Sequence, residues 1–224
     1  MSAPAPHLRE PTEFLDYESA DVQEFVDGVV ADRDRPAREH AVDLYYAIRD
    51  GVHYEIYGAD LSREGLRASS VVQRRRGLCI HKSILYAACA RALDIPSQLV
   101  LVDVRNHVAS PRLRGLLGGD VFTYHCLTRL HIDGRWVRAT PVFSQKLCRL
   151  YRMSPLEFDG RADAVFQPYD EEGRSFIELV HEHGEFDDLP YEDVVEGMRR
   201  AHANLFDGDT RIRSGSLVAE AGGS

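Results

Sequence analysis

The sequence predicts an α+β domain in which a helix headed by a cysteine packs against antiparallel strands. Apolar residues recur at helical spacing from Cys79 to about Leu93, which predicts a largely buried helix. Two strand-like segments, residues 121–132 and 135–143, flank Asp133-Gly134, a dipeptide typical of tight hairpin turns. A helix followed by a hairpin is the expected order when helices cover one face of an antiparallel sheet.

The same helix-like and strand-like patterns predict the remaining elements. Two helices are predicted before the cysteine, one over residues 21–30 and one from Pro36 to Asp50-Gly51. The nearly continuous apolar run at residues 97–104 predicts a strand that is buried on both faces. Beyond residue 144, short helices are predicted over residues 145–152, 176–183 and 191–204.

Length and composition fit one domain with appended ends. The chain has 224 residues, of which 44% are hydrophobic and 28% are charged. We expect a loosely ordered, Pro-rich arm over residues 1–18 and a single domain over residues 19–206. Residues 207–224 are rich in Gly, Ser and Asp, and we expect them to be disordered.

Charge and cysteine usage restrict the partners and the compartment. The net charge of −9 disfavours nucleic acid and anionic membranes as partners, and Arg74-Arg75-Arg76 is interpreted as a solvated loop. Residues 1–11 show no secretory signal, and no apolar run reaches the roughly 18 residues that span a membrane. No C-x-x-C pair occurs among the four cysteines, which are Cys79, Cys89, Cys126 and Cys148. Reduced thiols in a cytoplasmic protein are therefore expected.

The residues around Cys79 suggest an activated thiol. A Gly-containing loop runs into this cysteine, which begins the predicted helix. Helix N-termini favour anions, so this position is expected to lower the pKa of the thiol. Catalysis by a cysteine also needs an imidazole, and His125 on the first hairpin strand is the candidate base. Each residue by itself is more often a buried structural residue, so the residue types alone leave both interpretations open.

Two blocks of sequence, one around Cys79 and one around His125, follow a recognisable order. In the first block, Gly77-Leu78-Cys79 opens a helix that ends in Arg91-Ala92-Leu93-Asp94-Ile95-Pro96. In the second block, His125 is followed by Leu130-His131-Ile132-Asp133-Gly134-Arg135-Trp136-Val137. Together these blocks resemble the transglutaminase-like superfamily, and the second is similar to that family's catalytic histidine strand, turn and Trp-bearing strand.

The resemblance extends upstream and implies a fold. Residues 41–50, together with Tyr54, resemble the helix that precedes the family's core. The resemblance covers about residues 38–143 and implies a papain-like α+β fold with its core there. It leaves residues 144–206 as a C-terminal elaboration and places extra helices at both ends of the domain.

The resemblance also implies roles for single residues. Cys79 would be the nucleophile, and His125 would be its general base and acid. The third residue of the family's catalytic triad is an Asp on the second hairpin strand, and Thr140 stands at that place here. A threonine hydroxyl can hold an imidazole in one tautomer, but it cannot stabilise an imidazolium as a carboxylate does. Asp133 lies in the turn, too far along the hairpin for this role, so Asp159 from outside the motif is the other candidate for orienting the imidazole.

An oxyanion donor is expected in addition to the Cys79 backbone N–H. Gln73 is the nearest polar candidate, although a solvent-facing Gln is the competing interpretation. No metal site and no cofactor are expected. His181-Glu182-His183 places two imidazoles close together, but no third ligand stands at a recognisable spacing.

These residues predict cysteine-dependent acyl transfer or hydrolysis at an amide or isopeptide bond of a peptide or protein. A catalytically degenerate module that binds a protein or peptide is the alternative, and Thr140 in place of Asp favours it. A structural or assembly role for the C-terminal third is a further alternative. Hydrolysis and transfer both stay open at this point.

Overall fold

The computed structural model describes residues 4–107, 109–165 and 177–221. Its α-helices are α1 (Ala20–Val29), α2 (Ala37–Gly51), α3 (Ala68–Arg74), α4 (Cys79–Arg91), α5 (Pro111–Leu117), α6 (Gln145–Leu150), α7 (Tyr191–Ala201) and α8 (Leu217–Ala221). Its strands are β1 (His53–Tyr54), β2 (Arg76–Gly77), β3 (Ser97–Asn106), β4 (Val121–Ile132), β5 (Arg135–Ala139) and β6 (Ile177–Phe186). Within this part of the chain, no helix combines the length and the apolar character that crossing a bilayer requires.

The main sheet is antiparallel, which confirms the predicted α+β class. Its strand order is β5-β4-β3-β6, so β3 lies in the interior as the apolar run at residues 97–104 predicts. The turn between β4 and β5 has Asp133 at φ 49° and Gly134 at φ 78°. These positive φ angles are those that a tight hairpin requires. Separately, β1 and β2 form a short parallel pair in which Tyr54 lies opposite Gly77.

Helix α4 is the central helix of the domain. Every residue from Cys79 to Arg91 is buried, as expected for a helix that is surrounded by other elements. Its first turns contact β4 through side chains: Ser83 Oγ donates to the Cys126 carbonyl at 2.8 Å. Thr128 Oγ1 in turn donates to the Ser83 carbonyl at 3.0 Å. The helix is therefore fixed to the strand that carries His125.

Lys82 joins three elements from within the core. Its side chain is 0% exposed, and Nζ donates to the carbonyls of Arg49 at 2.9 Å, Val52 at 2.7 Å and Val142 at 2.8 Å. The first two carbonyls lie at the C-terminal end of α2, where backbone acceptors lack intrahelical partners. Burial lowers the pKa of Lys82 to about 7. The side chain ties α4 and the end of α2 to the segment that follows Thr140.

The helix predicted over residues 176–183 is wrong, because the described residues from Ile177 onward form β6. Phe176 lies outside the described residues. Strand β6 pairs with β3 along most of its length and satisfies backbone groups that an edge strand would leave unpaired. Pairing between distant segments has overridden the local pattern here.

The structure differs from the expectation of loose chain ends. In the described part of the N-terminal arm, Phe14 and Leu15 are buried in the core. In the described part of the C-terminal tail, Leu217 is buried where α8 begins. Polar composition suggested disorder, but these few apolar residues anchor the two ends.

Candidate active site

Cys79 is the first residue of α4, and its side chain is fully buried. The preceding Leu78 has an extended backbone and gives no side-chain cap, so the first N–H groups of the helix stay available to other acceptors. Sterics require glycine at position 77, because a Cβ there would lie 2.5 Å from the Cβ of His81. Only glycine lets the chain enter the helix so close to its own first turn.

The thiol of Cys79 lies against the edge of β4. Backbone N–H groups of Cys126, Ile80 and Cys79 itself interact with it and favour the thiolate. The contact with Cys126 is possible because β5 pairs with β4 only from Thr128 onward, which leaves the edge of β4 open beside α4. Burial still outweighs these donors and raises the pKa of Cys79 to about 11. The expected lowering of the thiol pKa is therefore not met in this conformation.

His125 and Thr140 line one small pocket. Both side chains are buried, and the pocket wall also contains Val142, Phe143, Leu156, Val165 and Ile177. Within the described residues, neither His125 Nε2 nor Thr140 Oγ1 has a hydrogen-bond partner. Burial lowers the pKa of His125 to about 4, so the imidazole is neutral near pH 7 and is a weak base while it stays buried.

The three predicted catalytic residues lie around β4 and the end of β5, but they do not form a hydrogen-bonded triad. The Cys79 thiol contacts the backbone N–H of Cys126, the residue that directly follows His125. In the described part of the chain, no hydrogen bond joins the thiol to the imidazole or the imidazole Nε2 to the Thr140 hydroxyl. The three residues therefore lie on neighbouring segments of backbone, but their side chains are not hydrogen-bonded to one another.

The other two carboxylates considered for orienting His125 are engaged elsewhere. Asp133 is half-exposed in the hairpin turn, 3.5 Å from Nη1 of Arg38. Asp159 is exposed, and its Oδ1 accepts hydrogen bonds from two backbone N–H groups that follow it, at 2.8 Å and 3.2 Å. These bonds lower the pKa of Asp159, which marks it as a local turn cap. Neither carboxylate is bonded to His125.

Gln73, the predicted oxyanion donor, points to another element. Its side chain is exposed on α3, and Nε2 donates to Asp21 on α1 at 2.9 Å. The Cys126 backbone N–H is instead a donor that lies beside the thiol, and sequence reasoning missed it. The only signal in the sequence was the position of Cys126 directly after His125. The open edge of β4 could not be anticipated.

Tyr54 and Phe143 lie next to these residues. Burial raises the pKa of Tyr54 well above its ordinary value, and the nearby Cys79 raises it further. The Tyr54 ring meets the Phe143 ring edge-on, with centroids 4.9 Å apart. Both rings line one cleft, and Phe143 also lines the His125 pocket, so this ring separates the two spaces.

The histidine pair considered for metal binding lies on β6. His183 Nε2 lies 2.7 Å from Asp103 Oδ1, and Glu182 pairs with Arg138 at 2.8 Å. Among residues 4–107, 109–165 and 177–221, no three His, Cys, Asp or Glu side chains are grouped so that they could hold a metal ion. These side chains belong to the polar network on the sheet.

The buried histidines predict sensitivity to acid. Burial lowers the pKa of both His81 and His125 to about 4, from an ordinary value of 6.5. A lowered folded-state pKa contributes stability above pH 6.5, and this contribution is lost as the pH falls from 6.5 towards 4. We expect the free energy of unfolding to fall by roughly 3 kcal/mol for each histidine over that range.

Urea unfolding at pH 7, 6, 5 and 4 measures this effect. His125→Asn should remove one histidine's share of the pH dependence, whereas the exposed His53→Asn should leave the wild-type slope. Equal slopes for wild type and His125→Asn would contradict a neutral, buried imidazole at position 125.

Comparisons with known proteins give one family match and similar solved structures. The family described as the transglutaminase-like superfamily matches residues 23–141, more than half of the chain. A structure from Cytophaga hutchinsonii, described as a "putative cysteine protease", is 14% identical with a TM-score of 0.45 and covers 80% of this chain. A "putative protease" from Parabacteroides distasonis is 16% identical with a TM-score of 0.37 and covers 59% of this chain. The match spans 52% of the first protein and 24% of the second. A comparison with curated proteins gives no match.

Proposed function

This chain belongs to the transglutaminase-like superfamily, and we propose that it catalyses acyl transfer or hydrolysis at an amide or isopeptide bond of a peptide or protein. The observation that carries the proposal is the position of the Cys79 thiol. It lies at the N-terminus of α4 and beside the backbone N–H that follows His125. A nucleophile, a base and N–H donors are thus held on two elements that pack directly against each other.

In the proposed reaction, the Cys79 thiol gives its proton to His125 and the sulfur attacks the substrate carbonyl carbon. A C–S bond forms, and the backbone N–H groups of Cys79 and Cys126 stabilise the developing oxyanion. His125 then gives the proton to the leaving amine as the C–N bond breaks, which leaves a thioester on Cys79. Water or a second amine attacks the thioester and loses its proton to His125. The C–S bond then breaks, which releases the acid or the new amide, and the proton returns to the sulfur.

A rearrangement on substrate binding is part of this proposal. A buried thiol with a pKa of about 11 is protonated at neutral pH and is a weak nucleophile. Opening the site to solvent removes the desolvation that raises this pKa, and it leaves the three N–H donors in place. The same opening relieves the burial that lowers the pKa of His125, so the neutral imidazole becomes a stronger base for the thiol proton.

A non-catalytic binding module is the second candidate, and Thr140 is the observation that favours it. Without a carboxylate on His125, the imidazolium formed during the reaction has no ionic partner among the described residues. A binding module would need neither the thiol nor the imidazole. Substitution of Cys79 would then leave its affinity for a peptide unchanged.

Hydrolysis of a fluorogenic peptide-amide library, with and without an added primary amine, tests the proposal. We expect release of the amine product by the wild-type protein and its loss in Cys79→Ala. Cys89→Ala is the matched control, because Cys89 is also a buried thiol of α4 but lies towards the other end of the helix. Equal release by wild type and Cys79→Ala would contradict the proposal.

Thr140→Val separates a functional hydroxyl from a structural one. Valine is nearly isosteric, and a buried hydroxyl without a partner costs free energy, so stability should stay equal or rise by up to about 1 kcal/mol. If the hydroxyl orients His125 during turnover, kcat should fall about tenfold. Thr140→Ser should retain most of that activity. Unchanged kcat in Thr140→Val would assign the orienting role to another group.

A further inference from the structure

The chain's own C-terminal segment forms one wall of a cleft that also contains Tyr54 and Phe143. Its walls include Tyr54, Ile56, Leu113, Phe143 and Tyr151, and Leu217 from the C-terminal segment lines it as well. Tyr54 pairs with Gly77, two residues before Cys79, and Phe143 also lines the His125 pocket. The cleft therefore adjoins both members of the proposed catalytic pair.

Leu217 is held in this cleft by its side chain and by both of its backbone polar groups. The residue is 6% exposed. Its N–H donates to the carboxylate of the buried Glu55, 3.0 Å from Oε2. Its carbonyl accepts a hydrogen bond from the Tyr151 hydroxyl at 2.9 Å. These are the contacts that a protein makes to a bound peptide residue, because N–H and C=O occur in almost every residue.

Further backbone hydrogen bonds hold the residues before Leu217 against the loop that follows β1. The N–H of Gly58 donates to the Arg213 carbonyl at 2.9 Å, and the N–H of Ile212 donates to the Ala59 carbonyl at 3.0 Å. Gly215 passes against the ring of Tyr57, where an added Cβ would lie 2.6 Å from Cδ1.

The residues after Leu217 are anchored by Glu220. Its carboxylate accepts a hydrogen bond from Ser110 Oγ at 2.5 Å and another from the Tyr57 hydroxyl. The whole segment from residue 210 to residue 221 is thus fixed on both sides of the leucine.

We propose that this cleft is a substrate subsite for an aliphatic side chain of a peptide, and that residues 210–221 close it by inserting Leu217 in a substrate-like manner. The inference rests on the proposed function and names the kind of residue that the site accepts. Apolar and aromatic walls favour a leucine-like side chain and penalise a charged one. Because the segment is tethered, it competes at a high effective concentration and keeps the thiol covered until a peptide displaces it.

Alkylation of Cys79 by iodoacetamide, followed by peptide mapping of all four cysteines, tests the closure without requiring catalysis. Leu217→Asp should place a charge in the apolar cleft, expel the segment and raise the alkylation rate of Cys79 at least tenfold at pH 8. Val218→Asp is the matched control, because it adds the same charge at the next residue, whose side chain is 42% exposed. This control should alkylate at the wild-type rate.

Faster alkylation could come from unfolding of the variant rather than from release of the C-terminal segment, so the two have to be distinguished. Wild-type circular dichroism and slow alkylation of Cys89, deep in α4, would show that Leu217→Asp is still folded. If that variant unfolds, Leu217→Ala takes its place and should raise the Cys79 rate several-fold. A folded Leu217 variant whose Cys79 reacts no faster than in Val218→Asp would overturn the closure.

A peptide added in trans tests the subsite itself. A synthetic peptide with the sequence of residues 210–221 should slow the alkylation of Cys79 in Leu217→Asp. The same peptide with aspartate in place of the leucine should not slow it. Equal protection by both peptides, or none by either, would overturn an aliphatic subsite. Protection without any amide cleavage in the library assay would uphold the subsite and count against the proposed catalysis, so the two failures are distinguishable.

Discussion

Lys82→Met is expected to lower the free energy of unfolding by about 3 kcal/mol, because three buried carbonyls lose their shared donor. Methionine has a similar length and fills the space, so the loss reflects hydrogen bonding rather than a cavity. The change also releases Val142, close to Thr140 in the chain, from α4. We therefore expect the variant to lose activity at temperatures where it is still folded.

Urea unfolding at pH 7 measures the stability difference. Lys146→Met is the matched control, because Lys146 is the only other lysine of the chain and its side chain is exposed. This control should change stability by less than about 0.5 kcal/mol. A Lys82→Met protein as stable as Lys146→Met would show that the buried ammonium does not hold the three elements together.

Cys79→Ala is expected to reduce the rate of amide cleavage by at least about 10³-fold, because it removes the atom that forms the covalent intermediate. His125→Ala should cause a loss of about 10²- to 10⁴-fold, since the thiol of Cys79 then has no base and keeps its proton. Neither change should lower the thermal midpoint enough to unfold the protein at assay temperature. Steady-state rates with one cleaved library peptide provide the measurement.

The control for this pair of variants is Cys89→Ala, which should retain wild-type kcat within about twofold. Full activity in Cys79→Ala with a loss in Cys89→Ala or Cys126→Ala would move the nucleophile to another thiol. Full activity in all three variants would mean that cleavage does not use a cysteine.

The fold near the site was accessible from sequence because its signals are local. Asp133-Gly134 specifies the hairpin between β4 and β5, and the apolar pattern after Cys79 specifies α4. Strand β6 was missed because residues 177–183 carry a helix-like pattern and become a strand only by pairing with β3. This pairing depends on the edge of β3, which is more than 70 residues away in the chain and therefore outside any local stretch of sequence.

The site shows the same division between local and distant information. The position of Cys79 at a helix N-terminus followed from the sequence, but the sign of its pKa shift did not. Helix position acts over one turn, whereas the burial of the thiol depends on distant residues packed around it, such as Tyr54. The anchoring of Leu217 was missed for the same reason: one leucine in a polar tail gives no periodic signal.

The most direct measurement is the mass of an acyl-enzyme formed with the p-nitrophenyl ester of N-acetyl-leucine. Acid quenching within the first turnover, intact mass determination and peptide mapping should locate one acetyl-leucyl group on Cys79 in the wild-type protein and in Leu217→Asp. The adduct should be absent in Cys79→Ala and should form at least tenfold more slowly in His125→Ala. No adduct on Cys79 in either background, or formation at the same rate without His125, would contradict a catalytic Cys79–His125 pair.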